Sequence, residues 1–308
     1  MGSRHFEGGL TGLAIGDALG MQVEGLRSYE FISDYGDARV DSVNYPLKAG
    51  QYTDDTLQML ILTDSILEAG GFDISSFTTA LKSWGREIMN DLTLSRGIGP
   101  TSIDAIQKLL DGVHWEESGG MNPTCGSAMR VAPIGLLYSH DLDLTAEMAA
   151  KSSIPTHRSD ESIAGAVAVA VIVAGVASGI DILNAAKKAV DYADAHSKKL
   201  SDKIRLAISL RDDPPEMVLK TIGTSILAIE SVPAAIFAAL HGRNFEDALL
   251  IAVNHGGDTD SIGAMTGAIR GTMHGLDGIP QRWLDGLGDC ARIISYAKRL
   301  YALHEMIF

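Results

Sequence analysis

Two cysteines in 308 residues, Cys125 and Cys290, are too few and too far apart for a disulfide framework or a thiolate metal site. A reducing, cytoplasmic setting is therefore expected. Aromatic residues are scarce, at 6%, which disfavours an aromatic-rich β-sandwich, whereas the plentiful Ala and Gly suit closely packed helices. No Lys/Arg cluster offsets a formal net charge of -14, so binding a phosphate backbone is not expected as the main role. Alternating strand patterns are nearly missing. Arg39 to Tyr45 is one short candidate, and no βαβ succession appears, which excludes a doubly wound nucleotide-binding sheet. The N-terminus lacks the apolar run of a signal peptide and carries early charges at Arg4 and Glu7. Ile163 to Ile180 lacks any charge and is long enough to cross a bilayer. It is dominated by Ala, Gly and Val, and its flanks are acidic (Asp160, Glu161, Asp181) rather than basic. A central helix buried on all sides is expected there, with no membrane partner.

What is present is helical spacing on a chain that is 46% hydrophobic and 21% charged, enough to bury a large core. Phe6, Leu10, Leu13, Ala14, Ala18 and Met21 share one helical face. So do Leu57, Leu60, Ile61 and Leu67, and Phe77, Leu81, Trp84 and Ile88. Further helices are expected at 101–111, 128–138, 145–152, 160–178, 182–195, 202–210, 233–240, 245–253, 261–274 and 281–303. Ser231 with Pro233 reads as an N-cap followed by an early helical proline. Asp212-Asp213-Pro214-Pro215 reads as a helix–helix connection. The fold class expected is all-α, one compact multi-helix domain over residues 1–308, acting as a monomer.

Five segments can carry chemistry. Thr53-Asp54-Asp55 stands at a helix start, where such residues serve as caps for unpaired amides. The same hydroxyl and carboxylates are hard oxygen ligands, of a kind that Mg²⁺, Mn²⁺ or Ca²⁺ takes and Zn²⁺ does not favour. Asn254-His255-Gly256-Gly257-Asp258-Thr259-Asp260-Ser261 precedes another helix. Two-residue spacing lets Asp258 and Asp260 aim at one point, and capping accounts for one aspartate without needing both. His255 reads as a third ligand type or as a hydrogen-bonding structural residue. In Gly16-Asp17-Ala18-Leu19-Gly20, followed by Glu24, Asp17 sits on a buried-looking face and must be hydrogen-bonded, either to support a site or to cap a loop. Asn122-Pro123-Thr124-Cys125-Gly126-Ser127-Ala128-Met129-Arg130 is a small-residue loop entering a helix, where amides can bind an anion such as a diphosphate. Pro155-Thr156-His157-Arg158 is a turn whose histidine either meets a ligand or caps the long apolar helix.

In order and rough spacing, these segments resemble the ADP-ribosylglycohydrolase family, whose relatives include dinitrogenase-reductase-activating glycohydrolases and ADP-ribosyl-acceptor hydrolases. The resemblance implies an all-α fold with two divalent cations, Mg²⁺ or Mn²⁺, at the floor of a cleft. It implies Thr53, Asp54, Asp55, Asp258, Asp260 and Ser261 as metal ligands. Glu24 is implied as a catalytic acidic residue on a mobile segment, with Asp54, Asp55 and Asp258 also in the catalytic set. Gly126, Ser127, Ala128 and His157 are implied to bind substrate, and Asp17 and Arg130 to support the site. Two departures stand out: many members have Asn where this chain has Cys125, and several have Thr where Ser261 stands.

The activity implied is hydrolysis of the glycosidic bond between the distal ribose of ADP-ribose and an acceptor, a protein side chain or a small derivative, through an oxocarbenium-like transition state. The partner implied is an ADP-ribose-containing substrate, an ADP-ribosylated protein among them. Two other readings remain open at this level. One is a hydrolase with a Cys125 nucleophile and His157, since a cysteine at a helix start can have a lowered pKa. The other is a non-catalytic ADP-ribose-binding or structural member of the fold.

Overall fold

A computed structural model describes residues 2–26, 31–37 and 47–308. The strand candidate Arg39 to Tyr45 lies outside the described residues. Among those described the fold is all-α. It has no strand, only two isolated bridges, Gly120–His157 and Thr124–Leu227. The helices in chain order begin with α1 (Ser3–Gly20), α2 (Asp54–Ala69), α3 (Ile74–Asn90), α4 (Pro100–Leu110), α5 (Trp115–Ser118), α6 (Ala132–Leu137), α7 (Leu142–Ser153) and α8 (Asp160–Ala177). They continue with α9 (Ile182–Asp194), α10 (Lys198–Ser209), α11 (Pro215–Ile222), α12 (Ala228–His241), α13 (Phe245–Val253), α14 (Thr259–His274), α15 (Gln281–Gly286) and α16 (Cys290–Ile307).

Six helix starts follow one rule. Asp73, Asp141, Ser159, Asp181, Ser197 and Asn244 each stand just outside a helix and accept a hydrogen bond from the amide three residues on. The uncharged stretch forms α8, long and apolar enough to cross a membrane by composition. It is instead buried from Ala164 to Ala177 against α6, α7, α9, α10, α12 and α14. Ser159 caps it, so the capping reading of His157 does not hold.

Helix α1 departs from the one-faced expectation, since every residue from Phe6 to Gly20 is buried. The reason is α14, which runs antiparallel against it in backbone contact. Glycines recur every fourth residue on both helices. A Cβ at Gly8, Gly12 or Gly16 would meet the backbone at Gly271, Gly267 or Gly263 respectively, and one at Gly20 would meet Thr259 and Asp260. Four-residue spacing puts these glycines on one face, and without side chains the two axes approach closely. The C-terminal end of α1 is thereby laid against the N-terminal end of α14.

Other boundaries differ from the periodicity. The helix expected over 128–138 covers Ala132–Leu137 alone, because the preceding residues form successive turns. The span 281–303 splits into α15 and α16, and α11 was not anticipated. Helix α12 starts at Ala228, so Pro233 lies inside it. Ser231 is not its N-cap: its hydroxyl donates to the Leu227 carbonyl one turn back. On α2 the buried face is Met59, Leu62 and Ile66, and the expected stripe at Leu57, Ile61 and Leu67 is half-buried, with Leu60 buried. The α3 stripe Phe77, Leu81, Trp84 and Ile88 is buried as its spacing implies.

Candidate metal centre

Three chain segments meet where α1 ends and α2 and α14 begin. The glycine contact brings the start of α14 to the end of α1, and the Thr259 hydroxyl locks it by donating to the Gly20 carbonyl at 2.9 Å. The turn that follows α1 carries Glu24, and the Gly25 amide ties it to the Gly257 carbonyl at 2.9 Å. Asp17, fully buried, recruits α2. Its carboxylate accepts from the Thr53 amide (2.9 Å), the Thr56 amide (3.0 Å) and the Thr56 hydroxyl (2.6 Å). Both sequence readings of Asp17 therefore hold at once: it caps a neighbouring helix, and that helix bears the site.

The capping account separates the two acidic motifs. Thr53 caps α2 by accepting from the Asp55 amide at 3.3 Å. Asp258 heads α14 but its side chain makes no cap hydrogen bond; its carboxylate is engaged by side chains instead. Asp54, Asp55, Asp258 and Asp260 are only 2–6% exposed, and Glu24 is half-buried. Glu24, Asp258 and Asp260 each bring one oxygen within 4.8 Å of the other two. Neighbouring protein groups hold part of the set. Gln58 donates to Asp54 Oδ2 at 2.6 Å, the Ser261 amide to Asp260 Oδ1 at 2.9 Å, and the Cys125 thiol to Asp258 Oδ2 at 2.9 Å. Asp55 Oδ2 is buried without any partner.

Carboxylates gathered in a low-dielectric pocket resist ionising together. Burial, then the charges of Asp258, Asp54 and Asp17, push Glu24 up to about 8. Burial, opposed by the Gln58 hydrogen bond, together with Asp17 and Asp258, pushes Asp54 up to about 7. Asp55 and Asp260 are raised well above the carboxylate range, by burial first. Among the described residues no Lys or Arg forms an ion pair with any of them. The donor set is all hard oxygen, with Thr53 and Ser261 hydroxyls beside it, and one buried oxygen is orphaned. Those residues fit a Mg²⁺- or Mn²⁺-like ion and lack the nitrogen and sulfur set of a zinc site. His255 stands outside the converging group of ligand atoms, and its Nδ1 is held by the Ile251 carbonyl at 2.8 Å.

The Gly126 loop lies beside this cluster, tied to it by the Cys125–Asp258 contact. Its amides at Ala128 and Met129 are spent on the Cys125 carbonyl (2.7 and 3.2 Å). Those of Gly126 and Ser127 have no partner among the described residues. The anticipated helix start is absent here, since α6 begins at Ala132, so any anion would meet loop amides rather than a helix terminus. The Ser127 side chain is fully buried and engaged by Ser153 (2.7 Å) and Ser162 (3.3 Å). Ala128 is buried too. His157 packs over Gly126, where any Cβ would collide with its ring. Burial and the Arg130 charge lower its pKa to about 3, so it is neutral at ordinary pH.

A buried polar chain joins the two halves, and sequence spacing gave little sign of it. His157 Nδ1 pairs with Thr156 Oγ1 at 2.9 Å, and Arg130 donates to Thr156 Oγ1 at 2.7 Å and to the Ser152 carbonyl at 3.1 Å. Arg130 also donates to Gln58, which holds Asp54. Arg130 is fully buried over the Phe77 ring. Only Gln58 carried a local signal, one helical turn after Asp54. Asn254 was noted without a role, and it grips Ile32 with both ends of its amide, at 2.8 and 2.9 Å.

The thiol-nucleophile alternative finds no support. Burial and Asp258 push the Cys125 thiol well up, opposite to the activation a nucleophile needs.

A family model described as ADP-ribosylglycohydrolase matches residues 3–307. An uncharacterized protein of Archaeoglobus fulgidus is 42% identical over 304 residues, covering 98% of this chain and 97% of its own. The ADP-ribosylarginine hydrolase Tri1 of Serratia proteamaculans is 33% identical, covering 96% of this chain and 78% of its own. A solved structure of an ADP-ribosylglycohydrolase-related protein complex superposes with a TM-score of 0.79 at 27% identity, over 98% of each chain.

Proposed function

The chain belongs to the ADP-ribosylglycohydrolase family, and on that premise we propose that it is a divalent-cation-dependent hydrolase of ADP-ribose linkages. It would cut the bond between the distal ribose and an acceptor, an ADP-ribosylated protein side chain or a small derivative. The observation that carries this reading is the convergence of Glu24, Asp54, Asp55, Asp258 and Asp260 with Asp55 Oδ2 left unpartnered. Unpaired carboxylates packed this closely fit a site made for cations.

Thr53, Asp54, Asp55, Asp258, Asp260 and Ser261 would hold two such ions, Mg²⁺ or Mn²⁺. Bound cations supply orientation of ribose hydroxyls and a lowered pKa for water. The protein's own groups do the rest. Asp17 and Gln58 fix the start of α2 and the Asp54 carboxylate. The amides of Gly126 and Ser127, unpartnered among the described residues, would receive diphosphate oxygens, with the neutral ring of His157 beside Gly126. Glu24 is the proton carrier of choice: it sits on a turn at the edge of the acidic set and is only half-buried. A carboxyl there can give a proton to a leaving group or take one from water.

The test is a panel assay for released ADP-ribose. Its substrates are linked through arginine, serine, an acetyl group, poly(ADP-ribose) or a nucleic-acid end. Release from at least one, abolished by EDTA and restored by Mg²⁺ or Mn²⁺, is expected. ADP-ribose binding without release from any of them would mark a binding protein of the same fold instead.

A further inference from the structure

Cys125 brings a thiol into contact with the acidic floor, and both its ends are fixed. Its amide donates to the Ile226 carbonyl at 3.1 Å. Two residues away along the same segment, the Thr224 carbonyl accepts from the Asp258 amide at 2.7 Å. The 224–228 segment is itself anchored, through the Ala228 amide on the Pro123 carbonyl (2.9 Å) and the Thr124–Leu227 bridge. One short scaffold thus sets the backbones of two residues that lie 133 positions apart. Their side chains then meet: the thiol, 4% exposed, donates to Asp258 Oδ2 at 2.9 Å. Asp258 is also the helix-leading aspartate that makes no cap. With no amide to hold it, its carboxylate is oriented by side chains, the Cys125 thiol first and Asp260 and Ser261 beside it.

We propose that Cys125 is a positioning residue whose thiol pins Asp258 Oδ2, turning the other oxygen toward the cations and so setting the affinity of the site for them. This rests on the reading of Asp258 as a cation ligand. Groups that orient a metal's ligands typically change affinity by about 10–100-fold when removed.

Titration calorimetry with Mn²⁺ alone tests it without reference to turnover. Cys125→Ala should bind Mn²⁺ about 10–100-fold more weakly than the wild-type chain. Cys125→Ser, which keeps a donor of similar reach, should return to within a few-fold. Thermal melts in EDTA check that both variants fold. An infrared measurement reads the contact itself. The S–H stretch lost in Cys125→Ala should lie at lower frequency than the one lost in Cys290→Ala. Equal Mn²⁺ affinity in the wild-type chain and Cys125→Ala overturns the proposal and leaves the metal reading standing. A wild-type chain that binds no Mn²⁺ overturns both. A sulfur-to-metal charge-transfer band on loading with Co²⁺ also overturns it, since the thiolate would then be a ligand itself.

Discussion

Freed of divalent cations, the protein should lose stability as the pH rises from about 5 to about 8, and cations should remove that loss. The clearest contributor is Asp54, which is 5% exposed. Burial, with the charges of Asp17 and Asp258, raises its pKa from 3.8 to about 7 despite the Gln58 hydrogen bond. Between those two values the folded chain keeps a proton that the unfolded chain has released. The stabilisation is complete below the unfolded value and is lost as the pH climbs through the folded one. Glu24, raised from 4.5 to about 8, adds slope of the same sign at the upper end. One retained proton is worth about 1.4 kcal/mol per pH unit, so two units across this window amount to about 3 kcal/mol. For a chain of this size that is roughly 4–5 °C in Tm. Scanning calorimetry in EDTA at constant ionic strength, repeated with saturating Mg²⁺ or Mn²⁺, measures it directly. With the cation present the carboxylates are paired when ionised, and the slope should flatten or reverse. A Tm in EDTA that stays level or rises over this range would refute the claim that these buried acids stand together uncompensated.

Asp258→Asn should lose Mn²⁺ binding and ADP-ribose release together, by calorimetry and the release assay; turnover that survives the substitution counts heavily against the proposed chemistry. Gly267→Val drives a branched side chain into the backbone at Gly12 and should lower unfolding stability by about 1–3 kcal/mol, read from urea midpoints. An unchanged midpoint would mean that α1 and α14 are not in backbone contact. Arg130→Met strips donors from Thr156, the Ser152 carbonyl and Gln58. It should destabilise the fold by about 3 kcal/mol and weaken Mn²⁺ binding as Gln58 loosens on Asp54; lower stability with unaltered Mn²⁺ affinity would disprove that linkage. Iodoacetamide should leave the native protein active, because Cys125 is 4% exposed and its thiol is raised well above its usual range. Rapid inactivation by that reagent, with EDTA harmless, would favour the cysteine mechanism.

The sequence alone determined the fold class and the acidic candidates, because both are local properties. Helical periodicity survives in the order of residues, so α3 and the uncharged α8 were legible without coordinates. Thr53-Asp54-Asp55 and Asp258-Thr259-Asp260 were legible because hard ligands crowded at helix starts exceed what capping needs. Tertiary structure alone decided how these pieces combine. Whether Asp17 served a site or a loop depended on α2 arriving beside it, since its three hydrogen bonds cross more than 35 residues. The fourfold glycine spacing is visible in each helix, but its meaning appears only when α1 and α14 face each other. Arg130, Gln58 and Thr156 form one chain from three distant segments, and Cys125 reaches Asp258 across 133 residues. Local spacing encodes which face a residue occupies, whereas a side chain's partner is fixed by packing. The acidic candidates could therefore be read from the sequence, and the contacts by which Asp17, Gln58, Arg130 and Cys125 hold them in place could not.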